Sequence, residues 1–264
     1  MSGLKKEVTL FLRDRVRSAV RKTGFDIVRK KVGDASEFPP DFAPHHVSII
    51  NAVKEHTMTS QERIFGLIEA THYITRRNIP GSIVECGVWR GGSMMAVALA
   101  LDRLDVRDRE LHLFDTFEGM PKPQEVDVDM RGNPAMPAFA EARIGEDKSD
   151  YCRATLPDVQ AAMASTGYDE ERIHFHKGKV EVTIPSAATG KIALLRLDTD
   201  WYESTRHELE YLYPRLSPGG ILIIDDYGHW CGSRKAVDEY IEKYAPSLFL
   251  SRIDYTGRIA VKTV

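Results

Sequence analysis

Residues 194–205 read LLRLDTDWYEST, and residues 221–227 read ILIIDDY. Each segment is a short apolar run that ends in carboxylates. Runs of Leu and Ile of this length predict strands that are buried on both faces of a parallel sheet. Bare carboxylates would be costly to bury there, so we expect them just beyond the strand ends, where open α/β sheets bind ligands. The two runs therefore predict an α/β fold with a ligand site at the strand tips.

The acids at these tips form a set of oxygen ligands. Asp198 follows the first run, and Asp225 and Asp226 follow the second. Such residues can also cap a following helix or lie in a solvated turn. Their position after two predicted strands favours instead a site for a hard divalent cation, because such cations prefer oxygen ligands. The pattern indicates metal-assisted chemistry.

Strand-like and helix-like segments alternate through the rest of the chain. The predicted strands are 82–86, 111–114, 173–176, 192–197 and 221–224, and the predicted helices are 60–78, 93–104, 152–166, 203–216 and 233–244. Residues 248–253 and 258–262 are expected to form a closing hairpin that turns at Thr256 and Gly257. This alternation predicts a doubly wound sheet.

The N-terminal region differs in charge from the remainder. Residues 1–31 contain ten Lys or Arg and three acids, although the whole chain has a net charge of −3. The apolar spacing in residues 1–22 predicts a basic helix, and the prolines of residues 33–46 predict a linker. We expect residues 1–59 to be a basic helical extension and linker through which the chain forms a homo-oligomer. A membrane-surface helix is the alternative.

We expect residues 60–264 to form the functional domain. Within it, residues 117–150 are polar and rich in Pro, and a loop of this length in a compact domain is often a lid. Three widely spaced cysteines and the lack of a secretory leader pattern or a membrane-spanning apolar run favour a reduced, cytoplasmic protein. The overall charge gives no sign of nucleic-acid binding.

The first predicted strand leads into a glycine-containing turn, VECGVWRGGS at residues 84–93. Glycines there let the backbone approach a ligand closely, but their spacing is not that of GxGxxG. Glu85 would repel a pyrophosphate and could pair with a cation, which favours a cofactor with an amine and a sulfonium over NAD. Asp115 ends the second predicted strand, where it could accept ribose hydroxyls or stabilise a turn.

Five segments together resemble the macrocin O-methyltransferase family, which includes the novobiocin and mycinamicin sugar methyltransferases. They are VECGVWRGG at 84–92, FDTFEGMP at 114–121, LRLDTDWYEST at 195–205, LYPRLSPGG at 212–220 and IIDDY at 223–227. The resemblance implies a class I methyltransferase fold, which is a Rossmann-like, seven-stranded sheet with a terminal antiparallel hairpin. It also implies S-adenosylmethionine as methyl donor, Mg²⁺, and the hydroxyl of a sugar, in a glycoside or saccharide, as acceptor.

The resemblance also implies roles for individual residues. Asp198, Asp225 and Asp226 match the metal ligands, and Asp200 matches the general base. Some members have a histidine base directly after that position, where this chain has Trp201, so the Asp version is favoured. The expected cofactor-binding residues are Glu85, Cys86, Gly87, Gly91, Ser93, Asp115 and Thr116. Candidates for substrate contact are Trp201, Tyr227 and His229.

One segment departs from the family pattern, and other functions remain as alternatives. Residues 177–185 read KGKVEVTIP, where the family has an aromatic pair and an Asp. A catechol-like diol could replace the sugar as acceptor. A Mg²⁺-dependent phosphohydrolase is a different class, which the lack of a phosphate-binding loop disfavours. A non-enzymatic nucleotide-binding module is disfavoured because three converging acids without a cation would repel one another.

Overall fold

The structure is a computed structural model that describes residues 38–187 and 189–263. Residues from Phe42 onward form one compact unit. The domain boundary expected at residue 60 stays a prediction. The basic helix expected in residues 1–22 lies outside the described residues, so its oligomer-forming role also stays a prediction. No helix in the described part of the chain is both long and apolar enough to cross a membrane.

The elements follow one another much as the sequence indicates. The helices are α1 (Pro44–Val53), α2 (Gln61–Arg76), α3 (Gly92–Arg103), α4 (Met136–Glu141), α5 (Leu156–Ala164), α6 (Val180–Thr183), α7 (Tyr202–Leu212) and α8 (Cys231–Tyr244). The strands are β1 (Ser82–Cys86), β2 (Leu111–Asp115), β3 (Arg143–Gly145), β4 (Lys148–Ser149), β5 (Ile173–Lys177), β6 (Ile192–Leu197), β7 (Leu216–Ile224), β8 (Ser251–Arg252) and β9 (Arg258–Val261).

Seven strands form one sheet in the order β5-β2-β1-β6-β7-β9-β8. The first five strands in this order are parallel to one another, and β9 is antiparallel to β7 and β8. β1 and β6 are buried along their whole length, as expected for central parallel strands. The chain winds outward from β1 in both directions, so the carboxyl ends of β1 and β6 border the point where such sheets bind ligands.

The start of β7 differs from the prediction. The sequence SPGG at residues 217–220 was expected to separate a helix from a strand, but β7 already begins at Leu216. Gly219 donates to the carbonyl of Lys262, and Lys262 donates to the carbonyl of Gly220. Pairing with the last strand therefore overrides the local stop signal. The preceding helix ends at Leu212 because Pro214 cannot continue its hydrogen bonds.

Candidate active site

A cavity of about 370 Å³ opens at the carboxyl ends of β1, β2, β6 and β7. The predicted residues that line it are Gly87, Ser93, Asp115, Thr116, Asp198, Asp200, Asp225, Asp226 and His229. The predicted residues that are not part of its lining are Glu85, Cys86, Gly91, Trp201 and Tyr227. The strand tips thus bring most of the predicted residues to one place.

The acids of β6 and β7 converge in this cavity. One carboxylate oxygen from each of Asp198, Asp225 and Asp226 lies within 4.8 Å of one from each of the others. Burial, opposed by a nearby arginine and reinforced by the neighbouring carboxylates, raises the pKa of Asp198. Burial and the charges of the other acids also raise the pKa of Asp226. A compact, all-oxygen set that repels itself fits a hard divalent cation.

Arg196 is the main counter-ion of the cluster, and it was not among the predicted site residues. Its guanidinium contacts Glu85 at 2.5 Å, Asp198 at 2.8 Å and Asp225 at 2.5 Å. The side chain lies inside β6 and is almost fully buried. A rigid, planar guanidinium can satisfy several carboxylates at once. An arginine within an otherwise apolar strand is the signal that could have found it.

Arg63 of α2 is a second arginine at the cluster that the sequence did not indicate. It pairs with Asp225, and its Nε donates to Asp254 at 3.0 Å. Ser60, the N-cap of α2, accepts from the amide of Arg63 and donates to Asp254 at 2.6 Å. The start of α2, the acid cluster and the turn between β8 and β9 are therefore joined by one polar network.

Glu85 was expected to bind the cofactor, but it is not part of the cavity lining. It is buried in β1, where it accepts from Arg196. Burial raises the pKa of Glu85 to about 7, although the adjacent guanidinium opposes this. Glu85 therefore holds the guanidinium of Arg196 in position. This geometry does not favour direct contact between Glu85 and a cofactor cation.

Asp115 organises the glycine-containing turn. Its Oδ2 accepts from the amides of Val88 and Trp89 at 2.7 and 3.0 Å, and its Oδ1 accepts from Phe117 at 2.7 Å. These bonds occupy most of the carboxylate, although Oδ1 keeps capacity for a further donor. Asp115 thus has the structural role that was weighed as its alternative, and its ribose role stays a prediction.

Gly87 is required because the backbone that follows β1 closely approaches the backbone that follows β6. A Cβ there would lie 1.9 Å from the carbonyl oxygen of Asp198, and the φ of Gly87 is +82°. Both observations exclude a larger residue unless the backbone moves. The turn after β1 and the acids after β6 are therefore held at a fixed separation.

Asp200 adopts the left-handed conformation, with φ +65°, and its amide donates to Asp226 Oδ2 at 3.2 Å. Burial raises the pKa of Asp200 to about 7, hydrogen bonding with Asp226 opposes this, and the charges of Asp198 and Asp225 add to it. Asp200 is therefore a fourth carboxylate that lines the cavity beside the acid cluster.

Comparison with known proteins identifies the family. The sequence model described as "Macrocin-O-methyltransferase (TylF)" matches residues 51–261. The chain belongs to the macrocin O-methyltransferase family. It is therefore an O-methyltransferase, as the sequence indicated.

Three curated members of the family are similar over most of their length. The 8-demethyl-8-(2,3-dimethoxy-alpha-L-rhamnosyl)-tetracenomycin-C 4'-O-methyltransferase of Streptomyces olivaceus is 38% identical over 76% of this chain and 74% of its own. The mycinamicin III 3''-O-methyltransferase of Micromonospora griseorubida is 34% identical, covering 76% of each chain. The demethyldecarbamoylnovobiocin O-methyltransferase of Streptomyces niveus is 33% identical, covering 76% of this chain and 74% of its own.

A solved O-methyltransferase has the same fold. The O-methyltransferase NovP is 32% identical, with a TM-score of 0.69 over 79% of this chain and 83% of its own. Calicheamicin methyltransferase CalS11, at 19% identity and a TM-score of 0.57, shares the fold over 88% of this chain. These likenesses confirm the class I methyltransferase fold.

In this family member, residues before 60 also line the cavity. His56, Thr57, Met58 and Thr59 belong to its wall, and Thr59 accepts from Arg196 at 3.0 Å. The segment packs closely against the start of α3. A Cβ at Gly92 would lie only 2.6 Å from the carbonyl oxygen of His56. The sequence contains no local signal of this contact, which only the packed structure reveals.

The two candidate aromatic substrate contacts outside the lining have other partners. The indole of Trp201 is buried and donates to the carbonyl of Pro121 at 3.1 Å. The hydroxyl of Tyr227 donates to Asp238 at 2.6 Å. Trp230, which was not predicted, lines the cavity beside His229. The geometry therefore does not favour direct contact between the acceptor and either Trp201 or Tyr227.

The predicted lid loop is more ordered than expected. It contains α4 and the β3–β4 hairpin. Asp127 is buried, and its Oδ1 accepts from the amide of Tyr202 at 2.8 Å. Val128 accepts from Cys231, and Met130 donates to His229. The first part of the loop is thus attached to the starts of α7 and α8 beside the acids.

The segment that departs from the family pattern still contributes to the cavity. Gly178, Lys179, Val180 and Glu181 line it. Val182, where the family has an Asp, is 73% exposed. The wall here therefore contains Lys179 and Val180 at the two positions of the aromatic pair that the resemblance implies, with Glu181 beside them.

Proposed function

We propose that this enzyme transfers a methyl group from S-adenosylmethionine to a sugar hydroxyl of a glycoside or saccharide, with Mg²⁺ at Asp198, Asp225 and Asp226. The convergence of these three carboxylates beside the glycine-containing turn carries the proposal. The names of three relatives, which describe methylation of glycosylated antibiotics, support the acceptor class.

The acid cluster has the chemistry that the metal requires. When bound, Mg²⁺ supplies positive charge that stabilises the developing alkoxide of the acceptor. Arg196 and Arg63 balance part of the carboxylate charge, which leaves Asp226 without a guanidinium partner among the described residues. An acceptor with two adjacent hydroxyls suits such a site because both oxygens can be held together.

Asp200 is the proposed general base. It accepts the proton of the acceptor hydroxyl on a carboxylate oxygen, which makes the acceptor oxygen a competent nucleophile. Its left-handed backbone breaks the alternation of an extended segment, so Asp198 and Asp200 need not serve the same purpose.

The methyl donor is proposed to lie along the turn after β1. S-adenosylmethionine supplies the electrophilic methyl group in this reaction. Gly87 and Ser93 offer the backbone and hydroxyl surface for its amino-acid part, and Asp115 and Thr116 lie where its ribose would be held. The loop of residues 117–150 is proposed to exclude water, because methyl transfer depends mainly on positioning and desolvation.

A methyl-transfer assay tests the function. Full-length protein, labelled S-adenosylmethionine and Mg²⁺ are incubated with glycosides that carry free vicinal hydroxyls, and with catechols. We expect methylated glycosides in the mass spectrum. Methylation of catechols alone would contradict the sugar acceptor, and absence of S-adenosylmethionine binding by calorimetry would contradict the methyltransferase chemistry proposed for the site.

A further inference from the structure

A second group of metal-ligand side chains lies outside the cavity lining, where α1 and α2 pack together. One ligand atom from each of His45, His46, Glu69 and His72 lies within 4.8 Å of one from each of the others. The first two belong to the first turn of α1, and the other two lie one turn apart on α2. His46 and His72 are 5% and 3% exposed, whereas 44% of the Glu69 side chain is exposed, so two rings of the group are buried and its carboxylate reaches the surface.

Hydrogen bonds fix the hydrogens of two rings. Glu69 Oε1 lies 3.0 Å from His46 Nε2 and 2.9 Å from His72 Nδ1. A carboxylate only accepts, so both nitrogens carry hydrogen. His46 Nδ1 accepts from the amide of Ala43 at 3.0 Å, which agrees with this tautomer. Both rings therefore donate to the same carboxylate oxygen, Oε1 of Glu69.

Two ring nitrogens in this group have no hydrogen-bond partner in the described structure. They are His72 Nε2 and His45 Nε2, and both atoms are buried. The two rings have centroids 5.4 Å apart. A buried polar atom without a partner costs free energy, and ring packing against Phe65 explains His46 but not these nitrogens. A metal ion at Nε2 of His45 would give that nitrogen a partner, and Nε2 of His72 is free to take up the hydrogen of Nδ1 in the same ring.

The charge states also suit a metal. Burial foremost, with the nearby His46 and Arg103, lowers the pKa of His45. Although burial opposes it, hydrogen bonds from His46 and His72 lower the pKa of Glu69. Neutral imidazole and ionised carboxylate are the forms that coordinate metals.

We propose that His45, Glu69 and His72 bind a divalent transition-metal ion such as Zn²⁺, with His46 holding Glu69 in position. Nδ1 of His72 becomes a ligand when its hydrogen moves to the unpartnered Nε2 of the same ring. His46 keeps its hydrogen bond from Ala43 and therefore remains a donor to Glu69. Two imidazoles and a carboxylate favour Zn²⁺ over Mg²⁺, the reverse of the aspartate cluster.

The ion would connect the two N-terminal helices of the described unit. α1 leads directly into residues 56–59 of the cavity wall, and α2 carries Arg63 at the acid cluster. Metal binding would therefore stabilise the folded chain and this side of the cavity without being part of the reaction.

Metal titration of the full-length protein, free of any histidine tag and stripped of metal, tests the site. Excess Mg²⁺ is present to occupy the aspartates while Zn²⁺ binding is followed by calorimetry. We expect one Zn²⁺ per chain and a higher Tm. Co²⁺ should give the visible absorption of a four- or five-coordinate nitrogen and oxygen site. No Zn²⁺ uptake, or a six-coordinate Co²⁺ spectrum, would overturn the proposal.

Variants localise the ion. We expect His72→Gln and, as a second substitution at a less buried position, His45→Gln to weaken Zn²⁺ binding at least about tenfold, since even outer-shell changes cost that much. His176→Gln is the matched control, because His176 belongs to a separate histidine pair with His112 at 3.0 Å, and it should leave Zn²⁺ affinity unchanged. Loss of Zn²⁺ binding in His176→Gln, or its retention in both other variants, would contradict the site.

Discussion

Arg196 donates to Glu85 across 2.5 Å inside the sheet, where the side chains are 4% and 1% exposed. Because both charges are removed from water, the arginine cannot be lost without leaving buried carboxylates unpaired. We expect Arg196→Met to lower the free energy of unfolding by about 3–5 kcal/mol in urea denaturation. Arg206→Met, at an exposed pair with Glu203, should cost about 1 kcal/mol or less. Equal costs for the two variants would show that the buried contact contributes little.

The proposed base is tested by Asp200→Asn. The amide has nearly the shape of the carboxylate but cannot take up the proton, so we expect methyl transfer to fall by about 10²–10⁴-fold. S-adenosylmethionine affinity, measured by calorimetry, should stay within about twofold. The control Asp105→Asn changes an almost fully exposed carboxylate and should keep full activity. Undiminished turnover by Asp200→Asn would rule out its role as base.

The metal requirement is tested by chelation. We expect EDTA to abolish methyl transfer and excess Mg²⁺ to restore it, because the carboxylate cluster holds the cation that stabilises the acceptor oxygen. Asp198→Asn removes one oxygen charge from the cluster and should raise the Mg²⁺ concentration for half-maximal activity at least about tenfold. Activity that persists after thorough chelation would contradict the role of the cluster.

The close approach of the chain after β1 to the chain after β6 is tested by two glycine substitutions. Gly87 and Gly132 both have positive φ, at +82° and +85°, but only Gly87 would place its Cβ against backbone. We expect Gly132→Ala to cost about 1–2 kcal/mol of stability, the usual cost of this conformation, and to remain active. Gly87→Ala must also displace Asp198, so activity should be lost. Thermal unfolding measures the cost in stability, and methyl-transfer assays measure the effect of displacing Asp198. An active Gly87→Ala enzyme would show that the close approach of Gly87 to Asp198 is not required.

A stacked histidine pair between β2 and β5 predicts acid sensitivity. Burial foremost, then the neighbouring His174 and His176, lowers the pKa of His112 from 6.5 to about 4, although Glu110 opposes this. The unfolded chain therefore binds a proton that the folded chain does not, so stability is complete above about pH 6.5 and decreases as the pH falls towards 4. His112→Gln should reduce this loss between pH values of about 7.5 and 5 in urea denaturation. An unchanged pH dependence would assign the loss to other groups.

Local sequence patterns predicted the central strands well, but they predicted contacts between residues far apart in sequence poorly. β1 and β6 have the predicted bounds because each is a short, mostly apolar run, although β1 contains Glu85 and β6 contains Arg196. The meeting of Asp198 with Asp225 followed from two adjacent parallel strands ending at the same edge. By contrast, Arg63 reaches Asp225 across 162 positions in sequence, and no local spacing encodes that pairing. The bond from Arg196 to Glu85 likewise joins two strands that are far apart in sequence.

The loop of residues 117–150 is attached beside the cavity at two places. Asp127 and its neighbours are bonded to the starts of α7 and α8, and Ser149 of the β3–β4 hairpin is buried and donates to the carbonyl of Met120 in the cavity wall. Residues on the exposed side of the hairpin, such as Ile144, which is 54% exposed, can therefore change during divergence while both attachments are kept.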